Sequence, residues 1–286
     1  VLLRLPSRSV TPERVWADRR RFLARLGFQG LGVWSLLTGS GWGLDLPPPT
    51  GSITPEASAT RFNNFYEFTS DKRRVWREVA ALQTRPWAVE ITGLVAKPRI
   101  VDVGDLVRRL GTVDRVYRHR CVEGWSAVIP WTGIPLRTLV DRAQPLGSAR
   151  YAAFTAFLAP EAAPGQARHP DWPWPYTEGL TLAEARNPLA LLATGAYGKS
   201  LAKPLGAPIR LVVPWKYGFK SIKGIVRISF TEARPATFWT TLAPGVYGFR
   251  SNVAGGDQEW RIDTGERQPT PRLNGYGPWV AYLYGG

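Results

Sequence analysis

The stretch Tyr117-Arg118-His119-Arg120-Cys121-Val122-Glu123-Gly124-Trp125 contains the chain's one cysteine. Run as a strand, its alternation places Arg118 and Arg120 on one face and His119, Cys121 and Glu123 on the other. Adjacent cations favour thiolate over thiol, and a thiolate is a soft ligand for a transition metal. The competing reading is a buried, inert thiol, the commoner fate of a single cysteine. One cysteine permits no internal disulfide and no multi-cysteine zinc or iron–sulfur site. The two histidines, His119 and His169, cannot build the usual multi-histidine site. A metal here would therefore take most of its ligands from something other than the protein.

Around this stretch the pattern is one of short elements. Val113 to Cys121 reads as a strand leading into the cysteine. Trp87, Val89 and Ile91 alternate as a strand does. Asp102 and Asp105 ahead of Leu106-Val107 form a capped helix start. Pro135 to Arg142 fits a short helix with Leu136, Leu139 and Val140 on one face. Tyr151 to Leu158, Leu189 to Ala193, Ile209 to Val213 and Gly224 to Phe230 read as further strands. No regular βαβ alternation appears, so the expected class is α+β, with short strands and helices mixed. The 286 residues are 44% apolar, enough for a sizeable core, and the 29 Gly and 25 Pro fit a chain rich in turns. Residues 60–286 show no second linker and no internal repeat and are read as one domain.

The chain begins differently. Arg19-Arg20-Arg21-Phe22-Leu23 precedes an apolar run from Leu26 to Gly39, interrupted only by Gln29, Ser35 and Thr38. A basic segment before a short apolar one is an export signal, and Arg-Arg-x-Phe-Leu has the twin-arginine form. The run is shorter than the roughly 18 apolar residues of a membrane span. Residues 1–43 are thus expected to be a twin-arginine leader directing the protein to the periplasm already folded. Residues 44–59, with Pro47-Pro48-Pro49 and Gly51-Ser52, are expected to be a linker. Ala57-Ser58-Ala59 has the small-residue form of a cleavage site but lies far beyond the apolar run.

Three other segments bear on ligands. Gly195-Ala196-Tyr197-Gly198-Lys199-Ser200 imitates a phosphate loop. Ala193 stands where that motif needs glycine, and Pro204 and Pro208 prevent the helix that should follow, so the segment is set aside. Arg210, Lys216, Lys220 and Lys223 cluster around Pro214 and a glycine-bearing turn, which suits an anionic phosphate; a solvated basic face is the alternative. The interleaved Trp215 and Tyr217 would also fit nucleic-acid stacking, but an exported protein meets no nucleic acid. Asn63-Asn64-Phe65-Tyr66-Glu67-Phe68 mixes amides, aromatics and an acid that must find polar partners if buried.

Taken together, Arg61 to Phe68, Arg118 to Ser126, Pro130 to Pro135 and Val213 to Lys223 resemble the catalytic subunits of bacterial periplasmic protein-methionine-sulfoxide reductases, molybdoenzymes of the sulfite-oxidase fold. The resemblance runs in order from about residue 60 to 250 and thins beyond about 252. It implies a sulfite-oxidase-type molybdopterin-binding domain holding one Mo-molybdopterin per chain, with Cys121 as the catalytic residue and sole protein ligand of the metal. By position, Asn63, Tyr66 and Glu67 would hydrogen-bond the pterin, and Arg210 with Ser221, Ile222 and Lys223 would hold its phosphate. Two contact positions depart from the family: Ala156 stands where threonine is expected and Leu205 where asparagine is, leaving only backbone contacts there. The implied activity is reduction of methionine sulfoxide in oxidised periplasmic proteins, by oxygen-atom transfer to Mo(IV). The sequence holds no C-x-x-C-H haem motif; the family draws its electrons from a membrane haem-b subunit fed by quinol. Two alternatives stand beside this reading. One is sulfite oxidation, or reduction of another S- or N-oxide, on the same fold. The other is an exported basic binding protein without redox activity.

Overall fold

Hydrophobic alternation and helix capping place most elements where the sequence reading expects them. The structure, a computed structural model, describes residues 51–285; the expected leader and the first part of the expected linker lie outside these. Val89 and Ile91 are buried in β1 (Ala88–Gly93). Asp102 ends β2 (Arg99–Asp102) and caps the helix Val103–Leu110, accepting from the backbone N–H groups of Gly104 and Asp105. The helix Leu136–Ala143 follows Pro135 and buries Leu136, Leu139 and Val140.

Two sheets organise the chain. In the first, β2 and β1 are followed by β10 (Ile225–Thr231), β5 (Tyr151–Ala156) and β6 (Thr177–Thr181). Only the β1–β10 pair is parallel. The second sheet runs β12 (Arg267–Pro269), β11 (Gln258–Arg261), β4 (Trp125–Pro135), β7 (Leu191–Ala196) and β8 (Lys199–Ser200). In addition, β3 (Val113–Arg120) lies along β4, and β9 (Arg210–Val212) along β7. Short helices join strands that are mostly antiparallel, which is the expected α+β class.

The sequence reading has no strand over Trp125–Pro135, yet β4 is the hub of the second sheet. It carries β3 along its length and meets β7 and β11. Ten of its eleven residues are buried, so no polar face alternates with an apolar one and the period-2 signal vanishes. The false phosphate loop is the β7–β8 hairpin, with Tyr197 and Gly198 at φ 54° and 72°. Those angles belong to a tight two-residue hairpin turn.

The stretch 44–59 contributes to the packed body from Thr54 onward. Thr54 is fully buried and exchanges hydrogen bonds with Val128 of β4, N–H to carbonyl at 2.9 Å and N–H to hydroxyl at 3.0 Å. The helix Glu56–Arg61 follows, and it contains Ala57-Ser58-Ala59 with Ala59 buried. Beyond it, Phe65 and Phe68 sink into a satellite apolar cluster with Val75, Val79, Leu82 and Phe157. Each buried aromatic contributes about 1.5–3 kcal/mol, and together they anchor the loop that carries Asn64 and Tyr66.

Candidate active site

Where β3 ends, Cys121 begins a tight turn. Its N–H donates to the Trp125 carbonyl (2.9 Å) and its carbonyl accepts from Gly124 (3.1 Å). Gly124 sits at φ +92°, a conformation that favours glycine. The turn opens on a pocket with about 920 Å³ of atom-free space, counting its open mouth. Cys121 lines it while only 5% exposed.

The facing predicted from alternation holds. His119, Cys121 and Glu123 all line the pocket, whereas Arg118 and Arg120 turn away to ion-pair with buried Glu259 of β11 (2.6 and 3.2 Å). The electrostatic consequence is different from the one expected. With Arg120 engaged elsewhere, burial dominates and pushes the Cys121 thiol up to about 12, against the smaller lowering effects of Arg120 and Lys72. A metal ion bound to the sulfur would supply the charge that removes its proton. The Asn64 amide reaches the sulfur, its Nδ2 donating to Sγ at 3.6 Å.

Of the expected cofactor residues, Asn63, Tyr66, Glu67, Leu205, Arg210, Ser221, Ile222 and Lys223 all line this pocket; Ala156 does not. Ala156 lies buried in β5 opposite Ile225, its N–H donating to Tyr176. The Asn63 side chain is fully engaged by protein: its amide donates to the carbonyls of Ala59 and Thr60, and its oxygen accepts from Lys223. The Leu205 carbonyl accepts from Arg210 at 3.0 Å. Glu67 is buried and its carboxyl is raised to about 7.

The expected four-cation cluster divides. Lys216 pairs with Glu184 (2.6 Å) and Lys220 with Glu178, all with side chains 1% exposed or less; these are internal ion pairs away from the pocket. Arg210 and Lys223 remain at its floor. The Arg210 guanidinium donates to the carbonyls of Leu211, Leu205 and Ser221. The Lys223 ammonium donates to Asn63 Oδ1, the Asn64 carbonyl and the Pro204 carbonyl, at 2.7–3.0 Å. Every one of these acceptors is a neutral oxygen. Burial lowers Arg210 to about 9 and carries Lys223 well below the usual lysine range. Among the described residues neither the buried Arg210 nor the part-buried Lys223 forms an ion pair with a carboxylate, and Glu67 acts on Lys223 only through space, so this end of the pocket favours an anion.

These features fit a pterin-borne metal. A single soft sulfur faces the pocket, Arg210 and Lys223 line it without an ion-paired carboxylate among the described residues, and Asn64 Oδ1 and Trp131 Nε1 in its wall are buried with no hydrogen-bond partner among the described residues. Among the described residues no three of His, Cys, Asp and Glu gather as a metal cage. None of their helices is long and apolar enough to cross a membrane.

Several lining residues were not singled out from sequence. Asn64 is one: the Asn63-Asn64 pair is visible in the sequence, but only the fold brings the Asn64 amide to the Cys121 sulfur. Glu123 was placed on the cysteine's face but given no role. In the structure it accepts from Trp125 Nε1 (3.1 Å) and Tyr66 (3.3 Å) and pairs with Lys72 (3.1 Å). Burial raises its carboxyl, but donors on Trp125, Lys72 and Asn64 outweigh this and hold it below its ordinary value. Trp239 and Tyr247 arrive from the far end of the chain, and nothing local marked them.

Comparison with known proteins shows the following. Residues 77–239 match the family described as the oxidoreductase molybdopterin binding domain. The chain is 43% identical over 315 aligned positions to the "protein-methionine-sulfoxide reductase catalytic subunit MsrP" of Xanthomonas axonopodis pv. citri strain 306. That alignment covers 99% of this chain and 96% of the relative. It is 42% identical, with the same coverage, to the protein of that name from Xanthomonas campestris pv. campestris strain ATCC 33913. Among solved structures, the sulfane dehydrogenase SoxCD of Paracoccus pantotrophus aligns with TM-score 0.45 and 17% identity, covering 72% of this chain and 54% of that one.

Proposed function

The chain belongs to the molybdopterin-dependent family of protein-methionine-sulfoxide reductase catalytic subunits, and from that premise we propose that it reduces methionine sulfoxide in exported proteins at the Cys121 pocket. The observation that carries the proposal is the convergence of one sulfur, Cys121, and two cations that hydrogen-bond only to neutral oxygens, Arg210 and Lys223, on a single pocket. Cys121 would hold the metal, and Arg210 with the turn Ser221–Lys223 would face the anionic end of the pterin. The Ser221 hydroxyl accepts from the Val213 N–H (3.1 Å) and its carbonyl accepts from Arg210 (2.8 Å), so the turn and the guanidinium are held as one unit. Bound there, one molybdopterin-held molybdenum per chain would supply a two-electron store and an acceptor for the sulfoxide oxygen. The protein's part is to orient the group, exclude water from the buried floor and keep Asn64 against the sulfur.

The proposed electron source lies outside the chain, whose single cysteine cannot form a C-x-x-C-H site for covalent haem. A membrane haem-b subunit oxidising quinol is the proposed donor, and oxidised periplasmic proteins the proposed substrates. The leader at 1–43 supports delivery to the periplasm in the folded state, after cofactor insertion.

Expression with the leader intact, followed by metal analysis and by turnover of N-acetylmethionine sulfoxide with reduced viologen, tests this. Wild type should carry close to one molybdenum per chain and turn over; Cys121→Ser should lose turnover. Normal activity in that variant would refute the assignment. Oxidation of sulfite in preference to sulfoxide reduction would move the protein to the alternative reaction.

A further inference from the structure

Four aromatic residues form the part-exposed rim above Cys121: Tyr66, Phe219, Trp239 and Tyr247. Their rings stand in a row. Tyr66 and Trp239 are 5.1 Å apart at 76°, Trp239 and Tyr247 5.0 Å at 36°, and Tyr247 and Phe219 5.1 Å at 86°. The row is pinned from beneath by Tyr176, whose hydroxyl accepts from Trp239 Nε1 (2.9 Å) and donates to the Phe219 carbonyl (2.8 Å). Such a wall is preorganised: a ligand meets it without having to order it.

The charges around the rim are arranged asymmetrically. Glu123 sits at the opening, and the cation beside it, Lys72, is already paired with it. The cations that line the pocket are Arg210, which is buried, and Lys223, which is part-buried and held by Asn63, Asn64 and Pro204. A small anion entering past the rim would meet aromatic faces, which carry negative potential, and the Glu123–Lys72 pair, which adds no net attraction. A dialkyl sulfoxide is neutral. Its methyl group is apolar, its sulfur is polarisable and sits at the positive end of the S–O dipole, and all three properties suit the face of an aromatic ring.

We propose that the rim of Tyr66, Phe219, Trp239 and Tyr247 is a recognition site for a neutral, methyl-bearing sulfoxide side chain, its ring faces disfavouring the sulfite anion. The proposal rests on the Cys121 pocket being the reductase centre. It places specificity in the aromatic wall and leaves the metal-holding floor to the chemistry.

The test uses purified holoenzyme with reduced viologen and N-acetylmethionine sulfoxide, together with Tyr247→Leu and Trp239→Leu. In both variants kcat/KM should fall tenfold or more, with the loss carried by KM and the molybdenum content equal to wild type. Saturation-transfer NMR on oxidised wild-type holoenzyme without reductant, with N-acetylmethionine sulfoxide amide as probe, reads binding without turnover. Irradiating aromatic protons should label the probe's S-methyl group, and Tyr247→Leu should lose at least half of that signal. A KM within twofold of wild type in both leucine variants would overturn the proposal. So would absence of aromatic-to-methyl transfer in wild type, which decides the matter even if a leucine variant loads poorly with metal. An enzyme that binds the probe through the rim but reduces no sulfoxide would instead defeat the proposed reaction and leave the recognition site standing.

Discussion

Replacing Glu259 with glutamine removes one charge and no volume, and the structure says this should be among the costliest single changes in the domain. Glu259 Oε1 accepts from Arg118 Nη2 at 2.6 Å and Gln268 Nε2 at 2.9 Å, while Oε2 accepts from the Thr270 hydroxyl at 3.1 Å and pairs with Arg120 Nε at 3.2 Å. The carboxylate is fully buried and the two arginine side chains are 6% and 4% exposed. In Glu259→Gln both buried guanidinium groups lose this carboxylate's charge, and an amide N–H₂ must face one of them. Breaking a buried pair from one side costs about 3–5 kcal/mol. The neutral partners Asn274, Thr270 and the Cys121 carbonyl soften the loss without cancelling it. For a domain of this size each kcal/mol lowers Tm by about 2–4 °C, so the fall should be roughly 6–20 °C. The assay is urea and thermal unfolding, followed by tryptophan fluorescence, on protein purified without its metal so that unfolding is not coupled to cofactor release. Changing Arg118, Arg120 and Glu259 together to apolar residues of similar size should recover most of the loss. A cost below about 1 kcal/mol for Glu259→Gln would show that the two arginines are not neutralised by this carboxylate. The account of why they leave the Cys121 thiol unactivated would fall with it.

Glu67 supplies a pH dependence. Burial raises its folded-state carboxyl from 4.5 to about 7, so the folded protein keeps a proton that the unfolded chain releases. Its stabilising contribution in metal-free protein is full below about pH 4.5 and is lost as pH rises to about 7, a span of about 3 kcal/mol; stability curves of Glu67→Gln should lack that slope. Gly218→Ala would place a Cβ 2.3 Å from His119 Cε1 and 2.4 Å from Nε2. It should cost about 1–3 kcal/mol, seen as a lowered Tm that His119→Ala in the same chain largely restores. Lys223→Met removes the ammonium that ties Asn63, Asn64 and Pro204 together. Molybdenum retained per chain after prolonged dialysis should fall several-fold, and unchanged retention would mean the tie is dispensable.

Local rules were sufficient where an element has one polar face or one capping residue. Val89 and Ile91, the Asp102 cap and the Leu136–Leu139–Val140 stripe were legible because each signal lies within a few residues. β4 was not, because burial on both faces removes the alternation that marks a strand. The cation cluster at 210–223 shows the same division. Four positive side chains within fourteen residues read alike in sequence. Glu184 and Glu178, 32 and 42 residues from their partners, claim Lys216 and Lys220 and leave Arg210 and Lys223 to the pocket.

By itself the sequence determined the kind of chemistry available. One cysteine and two histidines restrict what a metal could be given, and alternation along residues 118–123 decided which side chains share the cysteine's face. Tertiary structure decided the electrostatics. Which arginine is neutralised, which lysine stays at the pocket, how far burial raises the Cys121 thiol and which rings gather over it all depend on groups brought together from as much as 160 residues apart or more. A charge acts through a few ångströms of low-dielectric interior and not along the chain.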